Sequence, residues 1–207
     1  MRTISDCYLY GILDGDYVHR ADAGGVVEKM LEGGIDILQL RAKNWTTEEI
    51  TALGREIHPL TQNKGIPLII NDHPEITMTI GAEGVHVGQD DLSVRDVRRL
   101  VDAGILVGLS THSLDQARAA ATQDVDYIGF GPLFSTPTKP DYQPIGISEI
   151  AQVHEEHPNL PVFCIGGIKL ENTAEIIEAD ARRIVVVSGI LQAPNVVSYT
   201  KSLKSLL

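Results

Sequence analysis

Three polar side chains alternate at the end of one short apolar run of this sequence. They are Gln39, Arg41 and Lys43, and alternation along an extended chain points them the same way. The planar fork of Arg41 can hold two phosphate oxygens at once, while Lys43 acts as a point charge. Surface ion pairs are common, so both cations could instead pair in solvent with Glu48 or Glu49. The triplet therefore suggests a phosphate site but leaves the solvated alternative open.

Two aspartates stand just beyond the next two apolar runs. Asp72 follows the third run and Asp91 follows the fourth. Mg²⁺ takes one or two protein carboxylates and completes its shell with water and substrate phosphates, so this pair predicts a magnesium site. Each aspartate alone could instead cap the helix that begins near Pro74 or Ser93. Their joint appearance favours the metal, and Asn71 could then orient Asp72 or contact substrate.

Two later segments predict a second anion site. Gly166 and Gly167 follow the seventh apolar run, where glycine leaves backbone amides open to close approach. A Gly-Gly pair is also typical of an ordinary tight turn. Val187 and Ser188 stand at the end of the eighth run. In parallel barrels, the loops after strands seven and eight frequently bind phosphate, and we expect the same here.

The loop over residues 131–144 carries four prolines, which remove backbone donors and disfavour regular structure. A loop of this length is uncommon in a compact barrel and is usually functional. It contains a polar motif formed by Thr136, Pro137, Thr138 and Lys139. We expect this loop to cover the space between the two anion sites.

Eight apolar runs alternate with helical patterns, and several runs are continuously apolar, as in strands covered on both faces. The predicted strands are 8–13, 35–40, 68–70, 85–87, 105–109, 127–130, 162–165 and 184–187. The predicted helices are 21–32, 46–63, a short one after Pro74, 93–103, 113–121, 147–157, 170–179 and 195–207. These units predict a single-domain TIM (β/α)8 barrel over residues 1–207, with its active site at the carboxyl ends of the strands.

Five other side chains need an interpretation. Ser110, at the end of the fifth run, is by itself a loop hydroxyl. His86 lies within an apolar run and is expected to face the barrel interior or to support the site from behind. His112 could be a general base or a polar residue ahead of a helix. The two cysteines, Cys7 and Cys164, are expected to be buried small hydrophobes.

The amino-acid composition and net charge of the chain limit the kinds of molecule that it can bind. The chain has 207 residues, 43% of them hydrophobic, which is enough for one substantial core. Its formal net charge of −11 argues against nucleic acid or an anionic membrane as partner. No stretch is long and apolar enough to span a bilayer, and the first residues lack a secretory pattern. We expect a cytoplasmic protein with small-molecule substrates, and a homo-oligomer is compatible with the sequence.

Together these motifs resemble the thiamine phosphate synthase family. The matching segments run in family order: 39–43, 71–72, 84–91, 110–113, 129–132, 136–139 and 165–168. The resemblance implies a TIM-type barrel that joins a hydroxymethylpyrimidine diphosphate to a thiazole phosphate. The products would be thiamine phosphate and pyrophosphate, with Mg²⁺ as the cofactor.

The resemblance also implies roles for individual residues. The pyrimidine diphosphate would contact Gln39, Leu40, Arg41, Ala42, Lys43, Asn71, Ser110 and Lys139. The Mg²⁺ ligands would be Asp72 and Asp91. The thiazole phosphate would contact Thr136, Pro137, Thr138, Gly167, Val187 and Ser188. We expect Arg41, Lys43, Ser110 and Lys139 to act on the reaction itself. His73 stands where many relatives have arginine, which puts one diphosphate contact in question.

Two other functions are compatible with the same residues. A thiazole tautomerase, a barrel relative that isomerises a thiazole phosphate, would use a histidine, and His112 keeps that alternative open. It would not need Arg41, Lys43, Asp72 and Asp91 together. A non-catalytic barrel that only binds a phosphorylated ligand would explain the anion sites but not the paired aspartates. The synthase is the function that the sequence favours.

Overall fold

A closed barrel of eight parallel strands forms in the described part of the chain, with the strands in chain order. The computed structural model describes residues 1–136 and 143–207. The strands are β1 (Leu9–Asp14), β2 (Ile37–Arg41), β3 (Leu68–Asn71), β4 (Gly84–Val87), β5 (Leu106–Thr111), β6 (Tyr127–Phe130), β7 (Val162–Cys164) and β8 (Ile184–Val186). The barrel closes where β8 pairs with β1. The predicted TIM (β/α)8 barrel is confirmed.

The strands bury both faces, which explains their nearly continuous apolar sequence. In β1, Leu9 and Leu13 belong to the apolar core that includes the helices, whereas Tyr10 and Ile12 belong to a second cluster inside the barrel. Successive side chains alternate across a strand. Alternation therefore decides which polar residues can reach the interior of the barrel.

Helices follow the strands on the outside of the barrel. They are α1 (Ala23–Gly33), α2 (Thr47–Asn63), α3 (Pro74–Ile80), α4 (Val94–Leu100), α5 (Leu114–Ala121), α6 (Ile150–Glu156), α7 (Leu170–Glu178), α8 (Ser188–Leu191) and α9 (Val196–Lys204). A capping box begins α2: Thr46 Oγ1 accepts from the Glu49 N–H, and the Glu49 carboxylate accepts from the Thr46 N–H. Short helix α8, directly after β8, was not predicted.

Several strands end at different residues from those that hydrophobicity predicts. β2 continues to Arg41, which pairs in register with Asp14, and β5 continues through Ser110 to Thr111. In contrast, β7 ends at Cys164 and β8 ends at Val186. Ladder hydrogen bonds depend on the backbone, so β2 and β5 continue pairing after their apolar runs have ended, whereas in β7 and β8 the pairing stops one residue before the apolar run does.

Cys7 and Cys164 are free and buried, as predicted. Burial raises the pKa of each thiol to about 12, so both stay protonated and behave as small hydrophobes. Within residues 1–136 and 143–207, no helix combines the length and the apolar character needed to cross a membrane.

Candidate active site at the carboxyl ends of the strands

A cavity extends from the strand ends into the barrel. Deep in this cavity, the ring of Phe163 meets those of Tyr10 and Tyr127 edge to face, with centroids 5.4 and 5.5 Å away. Gln39 and Arg41 line the same cavity from β2. The site therefore has an aromatic floor and a polar rim, which suits a flat heterocycle that carries phosphate.

Arg41 is buried at the end of β2, with 9% of its surface exposed. Its Nη1 donates to Oδ2 of Asp14 over 2.6 Å, and Asp14 is fully buried at the end of β1. Asp16 Oδ2 lies 3.7 Å from the same Nη1. The solvated alternative is wrong for Arg41, because its partners come from β1 and the turn that follows. Asp14 holds the guanidinium while Arg41 still lines the cavity.

Lys43 and the two aspartates meet just beyond the ends of β2, β3 and β4. Lys43 Nζ lies 3.2 Å from Asp72 Oδ2, so its partner is neither Glu48 nor Glu49. The carboxyl groups of Asp72 and Asp91 are close enough to influence each other's charge. Residues far apart in the chain are thus brought together, as the order of β2, β3 and β4 around the barrel requires.

Neither aspartate caps the helix that follows it. The residue before α3 is His73, whose Nδ1 lies 2.8 Å from Glu75 Oε1, and the cap of α4 is Ser93. Asp91 Oδ2 instead accepts a hydrogen bond from the Gly88 N–H over 2.7 Å. The capping alternative is therefore wrong for both aspartates.

The backbone of Asp72 is unusual, with φ at +64° in the left-handed region. Its N–H donates to the His86 carbonyl over 2.9 Å, which ties this residue to β4. Such conformations cluster at functional sites, since the surrounding structure must hold them in place. At Asp72 the conformation accompanies a half-buried side chain directly after Asn71, which lines the cavity.

The aspartate pair has the donor chemistry that Mg²⁺ needs. Burial raises the pKa of Asp72, the neighbouring Asp91 carboxylate raises it further, and Lys43 opposes both effects. Two carboxylates that disfavour each other's charge are suited to a divalent cation. Among residues 1–136 and 143–207, no group of three or more His, Cys, Asp or Glu side chains could hold a metal. A magnesium ion would thus need water and substrate oxygens as well, which is its usual coordination.

The predicted second anion site also borders the cavity. Gly166, Gly167, Val187 and Ser188 line it, as does Thr136 from the loop after β6. Gly167 has a φ of +67°, and a Cβ added there would lie 2.7 Å from the Cβ of Phe134. Glycine is therefore required by backbone conformation and by close packing of the neighbouring loop.

The remaining predicted site residues have different positions. Asn71 lines the cavity at the end of β3. Leu40 and Ala42 are buried in the core shared with the helices, so their side chains face away from Gln39 and Arg41. Pro137, Thr138 and Lys139 lie outside the described residues.

Two histidines, His86 and His112, line the cavity. His86 faces the barrel interior, as predicted, with its Nε2 2.9 Å from Ser110 Oγ. Ser110 belongs to β5 and not to the loop after it. The Nδ1 of His112 lies 2.5 Å from the Gly131 carbonyl oxygen.

Sequence reasoning missed four residues that shape the site. Asp14 follows an apolar run directly, like the other polar rim residues, and this position was the available signal. Tyr10, Tyr127 and Phe163 lie within apolar runs, where aromatic side chains are ordinary core residues. Only the strand register shows that they face the cavity.

This fold and this site define the class as a TIM barrel with a polar cavity at the carboxyl ends of its strands. The sequence model of the thiamine monophosphate synthase family matches residues 9–190. The chain belongs to this family.

Individual relatives agree with this assignment. The chain is 39% identical to a thiamine-phosphate synthase of Shouchella clausii over 94% of this chain and 93% of the relative. It is 43% identical to one of Thermus thermophilus over 81% of each. A solved thiamine phosphate pyrophosphorylase from Pyrococcus furiosus is 27% identical, with a TM-score of 0.88 over 98% of this chain and 96% of that one.

Proposed function

We propose that this chain couples hydroxymethylpyrimidine diphosphate to hydroxyethylthiazole phosphate, or its carboxylated form, in a Mg²⁺-dependent reaction. The products are thiamine phosphate and pyrophosphate. The proposal depends on one observation: Lys43, Asp72 and Asp91 meet directly after β2, β3 and β4, and both Arg41 and Asn71, which end β2 and β3, line the cavity. A phosphate-binding group beside a carboxylate pair suits a diphosphate that arrives with its metal ion.

In this reaction, the bond between the pyrimidine methyl carbon and the diphosphate oxygen breaks, and its electron pair leaves with pyrophosphate. The electron-rich aminopyrimidine stabilises the positive charge on the methyl carbon. The thiazole nitrogen then donates its lone pair to form the new carbon–nitrogen bond. No protein nucleophile is required, so the work of the protein is to bind, align and stabilise charge.

The cations act on the leaving group. Arg41 and Lys43 stabilise the negative charge that develops on pyrophosphate, and Lys139 is proposed as a third cation. Asp72 and Asp91 would hold Mg²⁺, which when bound neutralises phosphate charge. Because Asp14 already holds one side of the Arg41 guanidinium, that side chain needs little rearrangement before it binds an oxyanion.

The remaining parts of the cavity suit the two heterocycles. The aromatic floor formed by Tyr10, Tyr127 and Phe163 offers ring contacts and excludes water from a reactive carbon. We propose that the thiazole phosphate binds at the opposite side, near Gly167 and Ser188. The thiazole nitrogen would then approach the methyl carbon from the side away from the diphosphate.

The test is incubation of the protein with both heterocycles and Mg²⁺, followed by detection of pyrophosphate and thiamine phosphate. We expect both products only when both heterocycles are present. At the Mg²⁺ concentration that just saturates the unmodified protein, Asp91→Asn should lose most of the turnover, whereas Asp90→Asn, on the same exposed turn, is the matched control and should retain it. Pyrophosphate release from the pyrimidine substrate alone would indicate hydrolysis and contradict the proposal.

A thiazole tautomerase is the second candidate, and the position of His112 favours it. This histidine lines the cavity, and its Nδ1 is fixed by the Gly131 carbonyl. Isomerisation of the thiazole phosphate without any pyrimidine substrate would support this candidate. Loss of that isomerisation in His112→Ala, with coupling retained, would separate the two activities.

A further inference from the structure

A continuous chain of hydrogen bonds crosses the interior of the barrel beneath the cavity. Gln39 Nε2 donates to Tyr10 Oη over 2.8 Å, and Tyr10 Oη lies 3.1 Å from Tyr127 Oη. Tyr127 Oη lies 3.2 Å from His86 Nδ1, and His86 Nε2 lies 2.9 Å from Ser110 Oγ. Five strands contribute one residue each, so this relay joins opposite sides of the site.

The first bond gives the relay a direction. Because the Gln39 amide donates to Tyr10, the Tyr10 hydroxyl hydrogen is available to donate to Tyr127. The Tyr127 hydroxyl hydrogen can then point to His86 Nδ1, which must be unprotonated to accept it. An imidazole that accepts at Nδ1 in this way carries its hydrogen on Nε2 and can donate it to Ser110 Oγ. The hydroxyl hydrogen of Ser110 is left to point into the cavity.

The fold makes room for this relay. A Cβ added to Gly108 on β5 would lie 2.5 Å from both His86 Nδ1 and Tyr127 Oη. Glycine at this position therefore permits the contact between side chains of β4 and β6. Burial also raises the pKa of Tyr10 and Tyr127 well above the usual value for a phenol, so both hydroxyls keep their hydrogens.

We propose that Tyr10, Tyr127 and His86 are positioning residues that make the Ser110 hydroxyl a hydrogen-bond donor toward an acceptor nitrogen of the substrate heterocycle. This inference rests on the proposed function, because Ser110 is assigned there to the pyrimidine substrate. The relay leaves the Ser110 hydrogen free for a ligand that presents an unprotonated ring nitrogen. The reversed relay would instead use that hydrogen on His86 Nε2, and Ser110 could then only accept.

The first measurement is the tautomer of His86 in the ligand-free protein, read from the ¹⁵N chemical shifts of its ring. The His86 signals are assigned by their loss in His86→Gln. We expect the Nε2–H tautomer in the unmodified protein and a loss of that preference in Tyr127→Phe. Tyr10→Phe should weaken the preference less, because Tyr127 can still donate to His86.

The second measurement is steady-state kinetics of the same variants. In Tyr127→Phe, kcat/KM for the pyrimidine diphosphate should fall about tenfold, as expected for a misdirected hydrogen bond. The KM for the thiazole phosphate should stay unchanged. Tyr8→Phe is the matched control, since Tyr8 lies just before β1 with an exposed ring, and it should change neither readout. If Tyr127 had a purely structural role, Tyr127→Phe would lower the stability of the protein without changing the tautomer of His86.

Two results would overturn the relay: an Nδ1–H tautomer in the unmodified protein, or an unchanged tautomer and unchanged kinetics in both Tyr127→Phe and Tyr10→Phe. The tautomer is measured without substrate. Failure of the unmodified protein to make thiamine phosphate would therefore contradict the proposed function while leaving the direction of the relay to be decided separately.

Discussion

The buried ion pair between Asp14 and Arg41 should govern both the stability of the barrel rim and the binding of anions. Asp14 uses both carboxylate oxygens: Oδ2 accepts from Arg41 and Oδ1 accepts from the Asp16 N–H over 3.0 Å. Asn at this position has only one acceptor oxygen, so Asp14→Asn must give up one of these bonds. It also leaves the buried guanidinium without its principal negative charge.

The size of the stability loss in Asp14→Asn follows from the burial of the ion pair. Asp14 is 0% exposed and the Arg41 side chain is 10% exposed, so solvent replaces little of the lost interaction. Removing one partner of a buried pair costs about 3–5 kcal/mol, and the bond that Asn retains places the cost of Asp14→Asn at about 3 kcal/mol. For a chain of this length, that corresponds to a fall in Tm of roughly 6–12 °C.

The assay is thermal unfolding followed by circular dichroism, with and without inorganic pyrophosphate. Pyrophosphate should recover part of the deficit of Asp14→Asn, because it supplies negative charge to Arg41. Asp16→Asn is the matched control: its carboxylate is 45% exposed and lies 3.7 Å from Arg41, so the loss should stay below about 1 kcal/mol. Equal losses in the two variants would refute the idea that Asp14 is the partner that holds Arg41.

Three further predictions concern the carboxylates, the glycine turn and the histidine. Asp91→Asn should raise the Mg²⁺ concentration needed for turnover. Because Asp91 raises the pKa of Asp72, the variant should also move the acid limb of the pH–rate profile to lower pH. An acid limb that does not move would contradict this coupling. Gly167→Ala should lower stability by roughly 2–4 kcal/mol in urea unfolding through backbone strain and overlap with the adjacent loop. Gly146→Ala, with φ at +75° and open space around it, should lose only about 1 kcal/mol. His112→Ala should retain coupling activity in the pyrophosphate-release assay, and complete loss would indicate a proton transfer that the proposed reaction does not contain.

Much of the fold could be predicted from the sequence, because burial on both faces of a parallel strand leaves a nearly continuous apolar run. The polar residues that follow these runs indicate the rim of the barrel, because the carboxyl ends of parallel strands all lie on one side of it. The sequence therefore places Arg41, Asp72 and Asp91 at one end of the molecule. Their chemical types were enough to suggest a phosphate with a divalent cation.

Tertiary structure decided which groups touch. Asp14 became the partner of Arg41 through the register of β1 and β2, and Lys43 reached Asp72 across the strand ends. The tyrosines of the relay lie in apolar runs, where sequence cannot distinguish a core ring from one that faces a cavity. Such contacts depend on strand register and on the space that Gly108 leaves between two side chains. The hydrophobic pattern of the sequence indicates which residues are buried. Hydrogen bonds across the barrel depend on distances between side-chain atoms of different strands, and only the closed barrel determines those distances.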